Sequence, residues 1–151
     1  MELYKNILIG VHPTAGVPEH VVKKGCDMAE LHGANLYLAA MVEEKGYGPF
    51  ARYEEDVLKK AEEEATETLQ KVKQKAESQE YGKIEAKLIV EKGAPTQTLM
   101  QRVVPDYQID LVLLPQTNKN KMDRTLMGSF SEAVVRSANC DILIVDNKEE
   151  K

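Results

Sequence analysis

Five short apolar runs, each parted from the next by a stretch with helical spacing, constrain this chain more than any other feature. Asn6 to Val11 (NILIGV) comes first and is closed by His12-Pro13-Thr14. Leu36 to Val42 (LYLAAMV), Ile84 to Val90 (IEAKLIV), Leu111 to Leu114 and Ile142 to Val145 follow. Short, nearly continuous apolar runs suit strands buried on both faces. Between the first two runs, Val21, Val22, Cys26, Ala29 and Leu31 supply an apolar helix face, with Pro18 in the opening turn and Gly33 as a stop. From Ala51 to Glu77, Val57, Ala61, Ala65, Leu69, Val72 and Ala76 recur every three or four residues through a charged stretch. That pattern predicts a long amphipathic helix whose charges form the solvated face. Leu99, Val103 and Val104 carry helical spacing from Pro95 to Val104, and Ser129 to Ala138 makes a fourth helix. The resulting order, β-α-β-α-β-α-β-α-β, predicts an α/β fold: one doubly wound, Rossmann-like parallel sheet with helices on both faces. Ligands of such sheets sit beyond the C-terminal strand ends, at a switch point in strand order.

Composition narrows the function classes. A chain of 151 residues fits one domain, taken as 1–147 with a charged tail at 148–151. A formal net charge of −5 lacks the basic surface expected of a nucleic-acid binder. No apolar run is long enough for a membrane span, and Met1 leads directly into the first strand. Cys26 and Cys140 stand far apart without CxxC spacing, as reduced thiols would in a cytoplasm. Cys140, Met41, Met100, Met122 and Met127 are assigned to packing, and His20 and His32 to the first helix and its end. The three histidines have no metal-ligand spacing, and neither a metal site nor catalytic residues are assigned. A cytoplasmic location is expected.

The stretch from Asp110 to Glu132, DLVLLPQTNKNKMDRTLMGSFSE, carries the chemistry. An apolar strand leads through a polar loop into a helix opening on Gly128-Ser129-Phe130-Ser131. Free N–H groups, the helix dipole and two hydroxyls make that opening a seat for an anion, or, alternatively, a self-capped helix start. Lys119, Lys121 and Arg124 place local positive charge in the loop of an acidic chain. His12, at the exit of the first strand, is the histidine best placed for ligand contact or proton chemistry, although no nearby carboxylate or nucleophile completes a catalytic set.

These segments resemble the universal stress protein family over nearly the whole chain, from KNILIGVHPT to CDILIVD, and most specifically in GSFSEAVVRSANCDILIV. The resemblance implies a five-stranded parallel sheet in the order 3-2-1-4-5 and a homodimer paired through the last strand, Ile142 to Val145. It also implies a regulatory protein of the stress response, with an unknown protein partner, and divides relatives into ATP binders and non-binders. The binders' motif is G-x2-G-x9-G-(S/T). Aligned on Gly128-Ser129, its first two glycines fall at Pro115 and Asn118, and a usual acidic position after strand one falls at His12. Proline offers no N–H, asparagine tolerates the left-handed conformation, and a neutral imidazole keeps one acceptor nitrogen. Weakened or lost adenine-nucleotide binding is therefore expected. Any ATP or AMP would set adenine and ribose near Val11, His12, Val42, Gly93 and Leu114, with phosphates near Asn118, Gly128, Ser129, Phe130 and Ser131; Mg²⁺ would enter only with ATP. The competing expectation is an ATP binder with slow hydrolysis, and a third is a ligand-free dimerisation scaffold.

Overall fold

The computed structural model describes residues 3–43, 51–78, 81–116 and 129–147, with side chains described for all of these except 51–54 and 129. Five strands, β1 (Asn6–Gly10), β2 (Asn35–Val42), β3 (Ala86–Lys92), β4 (Leu111–Pro115) and β5 (Asp141–Val145), form one sheet. All neighbours are parallel and the order is 3-2-1-4-5, as expected. Helices α1 (Glu19–His32) and α2 (Ala51–Ala76) cover one face; a helical segment over 95–106 (α3) and α4 (Ser129–Ser137) cover the other.

Two apolar layers result, because side chains of one strand alternate between faces. Ile7 and Ile9 of β1 join Val21, Cys26 and Leu69 on the α1/α2 face. Leu8, Val112 and Leu114 join Leu99, Val103 and Val134 beneath α3 and α4. Strand β1, in the middle, is fully buried from Ile7 to Ile9, which explains its unbroken apolar run. Helix α1 reaches β1 closely at Gly25, where an added Cβ would lie 2.5 Å from Ile9 Cδ1. Gly33, at φ 63°, ends α1 and returns its N–H to Glu30 and Ala29.

Two expected core positions are corrected. Leu31 is 78% exposed, because the buried stripe of α1 is Val21, Val22, Gly25, Cys26 and Ala29, and Leu31 falls on the other side. Val57 is 52% exposed; half-buried Leu58, one position on, starts the stripe that continues through Ala61, Ala65, Leu69, Val72 and Ala76. Both misreadings count an apolar residue into a face that lies about 100° (Val57) to about 150° (Leu31) away on the helix.

Strand β3 starts at Ala86, two residues after the apolar run suggests. It is an edge strand, and α2 sets where it begins. The Ala86 N–H donates to Glu77 Oε2 at 2.8 Å, and Lys73 Nζ donates to the Ala86 carbonyl at 2.6 Å. One side chain from α2 and one from the residue just past its end thus occupy backbone groups that an edge strand would otherwise leave open.

Segment α3 is not a uniform helix. An α-turn at Pro95–Thr98 passes into a π-helical stretch, Leu99–Val103, before Val104–Asp106. Val104 N–H bonds to Leu99 O, five residues back, and Pro105 follows with no N–H to give. Wider winding keeps the segment helical through a proline that a regular helix would not accept.

Candidate functional site

The order 3-2-1-4-5 reverses direction between β1 and β4, so a crevice is expected beyond the C-terminal ends of those strands. His12 leaves β1 there, and Gln116 leaves β4. Val42 and Gly93 mark the exits of β2 and β3 and are joined by a hydrogen bond, Gly93 N–H to Val42 O at 2.9 Å. Gly93 holds φ 137°, and a Cβ there would lie 2.5 Å from Thr98 Oγ1. Only glycine fits both the conformation and the space.

Of the expected ligand positions, the strand ends gather Val11, His12, Val42, Gly93 and Leu114 at one end of the sheet. Their side chains differ in what they can offer. Val11 and Val42 are buried in the α1/α2 layer, and Leu114 is fully buried beneath α3 and α4, which leaves their backbone as the polar contribution. Phe130 is half-buried; a Cβ on Gly10 would lie 2.7 Å from Leu114 Cδ2 and 3.7 Å from Phe130 Cε2. Two large apolar side chains therefore lie close over the last residue of β1. Asn118 and Gly128 fall outside the described residues, as do Lys119, Lys121, Met122, Arg124 and Met127.

Pro115 is the last residue of β4, buried and in register with Val145. The next residue, Gln116, gives its N–H to Val145 O at 2.9 Å. Backbone groups alternate sides along a strand, so the nitrogen of residue 115 faces β1 and the crevice. Proline removes the donor at that position.

Ser129 begins α4, and Ser131 lies on its buried face with Val134. Ser131 is 6% exposed, and its hydroxyl is buried with no hydrogen-bond partner among the described residues. A buried hydroxyl left unpaired costs about 1–3 kcal/mol, and most such groups in folded proteins are satisfied.

His12 is half-buried and its side chain folds back on its own loop. Nδ1 accepts backbone N–H groups from Ala15 at 3.0 Å and Thr14 at 3.2 Å. Burial holds its pKa below the ordinary histidine value. An acidic side chain after a strand would accept the same donors, so here the imidazole does a carboxylate's structural work without its charge.

Sequence reasoning missed the opposite end of the sheet. Asp110 accepts the N–H groups of Lys5 at 2.9 Å and Asn6 at 3.0 Å, and so ties the start of β1 to β4. Tyr4 donates its hydroxyl to Asp141 at 2.6 Å and its N–H to His32 Nδ1 at 3.0 Å. These are long-range contacts with no local sequence signal. Among the described residues, no group of three or more His, Cys, Asp or Glu side chains is arranged to hold a metal.

Residues 3–146 match the model of the universal stress protein family. The chain belongs to that family. It is 28% identical over 149 residues to a putative universal stress protein of Staphylococcus haemolyticus, covering 99% of this chain and 88% of that one. Among solved structures, the universal stress protein UspA from Lactobacillus plantarum superposes with a TM-score of 0.78 at 22% identity, over 96% of this chain and 99% of that one. The universal stress protein from Archaeoglobus fulgidus in complex with dAMP superposes with a TM-score of 0.63 at 18% identity, over 95% and 98% of the two chains. At those identities the structural likenesses establish the fold. No described helix is long and apolar enough to cross a membrane.

Proposed function

We propose that this universal stress protein-family chain is a cytoplasmic regulatory protein that acts as a dimer and binds an adenine nucleotide weakly. One observation carries the ligand: the unpartnered, buried hydroxyl of Ser131 in the first turn of α4. A helix start presents free N–H groups and positive potential, and a ligand oxygen arriving there would also satisfy this hydroxyl. That a family relative was solved with dAMP supports an adenine mononucleotide as the ligand class. Weakness follows from Pro115, which withholds a crevice-side N–H, and from His12, which brings no carboxylate. The dimer reading rests on β5, an edge strand whose Ile144 is 38% exposed.

Calorimetric titration with AMP and ATP, with and without Mg²⁺, tests the reading. Micromolar to millimolar binding that Ser131→Ala weakens about tenfold or more is the expected result. No heat at millimolar nucleotide would remove the ligand and leave a scaffold. Phosphate release from ATP would move the protein to the enzymes.

A further inference from the structure

His12 closes a turn by accepting, and an acceptor that titrates is a switch. Besides the two N–H groups on Nδ1, the Thr14 hydroxyl lies 3.2 Å from the same nitrogen. The backbone completes the loop: His12 N–H to Gly16 O at 2.9 Å and Gly16 N–H to His12 O at 3.0 Å, with Gly16 at φ 78°. A nitrogen that receives two amide N–H groups carries no proton itself, so the ring is neutral and its proton sits on Nε2. We propose that protonation of His12 opens the 12–16 turn, because a proton on Nδ1 would point at the very N–H groups that the nitrogen now accepts. The β1 side of the crevice then loosens at mildly acidic pH. As a regulator of nucleotide binding this rests on the function proposed above; as a property of the turn it stands independently.

The surroundings favour the neutral ring. The turn itself holds no charged side chain besides the titrating imidazole. Thr14 to Gly16 of the turn, with Val17 after it, border a shallow groove of about 350 Å³, into which α1 brings Glu19 and α2 brings Lys71 and Lys75. Glu19 is engaged there by Lys75 at 3.3 Å and by the Tyr81 hydroxyl at 2.6 Å. Among the described residues none of these charges pairs with the imidazole, and burial lowers its pKa.

The test needs no nucleotide, so its failure is distinct from failure of the ligand reading. Imidazole and amide nitrogen shifts are followed by NMR from pH 8 to 4.5 in the wild-type protein and in His12→Asn, which keeps a neutral acceptor that does not titrate. The proposal expects a proton on Nε2 at neutral pH, and Thr14 and Ala15 amide shifts that move with the His12 inflection, below pH 6.5. In His12→Asn that inflection should vanish. A proton on Nδ1 at neutral pH, amides that ignore the ring's titration, or an inflection surviving in His12→Asn would each overturn it.

Discussion

The side-chain amide of Asn139 donates to the backbone carbonyl of Met100 at 3.1 Å, joining the turn before β5 to the middle of α3. Its cause lies in the winding of α3. Val104 N–H goes to Leu99, and residue 105, the next donor position, is proline. Met100 O is thereby left without a helix donor, and Asn139 provides one from 39 residues away. Replacing Asn139 by Ala orphans a partly buried carbonyl, and a loss of about 1–2 kcal/mol is expected. Urea denaturation with an unchanged m-value checks it; an unmoved midpoint would mean that water serves the carbonyl equally well.

Gly93→Ala combines a forbidden conformation with a contact on Thr98 Oγ1. A destabilisation of roughly 1–3 kcal/mol is expected. Adding Thr98→Ala should recover only part of it, because removing the hydroxyl clears the space but leaves φ at 137°. Full recovery in the double variant would show that sterics alone require glycine.

Glu77 predicts an acid limb of stability. Its carboxylate is held below the ordinary 4.5, first by Lys73 and next by the Ala86 N–H. A carboxylate with a depressed folded pKa contributes stability that is present above its unfolded value and is lost as pH falls through the folded value. Glu77→Gln should therefore be less stable than wild type at pH 7, and the gap should narrow below about pH 4.5. A gap that stays constant from pH 7 to 3 would place the effect in packing instead of charge.

Both thiols should be slow to react in the native protein. Burial, aided by nearby carboxylates, pushes Cys26 and Cys140 from 9.0 up to about 11. Such a rise leaves roughly a hundredfold less thiolate at neutral pH than in the unfolded chain. Ellman's reagent at pH 8 should label native protein far more slowly than protein in urea. Rapid native labelling of Cys140, the less buried of the two, would show that its thiolate is stabilised after all.

The amino-acid sequence by itself determined the number, kind and order of the elements. It did so because the central strands are buried on both faces and each helix on one, so that burial writes a local pattern: Ile7 to Ile9 and Leu111 to Leu114 read as strands, Leu69 to Ala76 as a helix face. The Gly128-Ser129 opening and the departures at Pro115 and His12 were legible in the same way, as residue types at fixed spacing. What depended on distant partners could be decided only by tertiary structure. Strand β3 begins at Ala86 because Lys73 and Glu77 reach its backbone from another element. α3 tolerates Pro105 by changing its winding and drawing on Asn139. The unpaired state of Ser131 appears only when everything packed around that hydroxyl is in place. His12 shows the division most plainly: its identity announced a lost carboxylate, while only the fold of residues 12–16 revealed that the imidazole still accepts the N–H groups of its own turn.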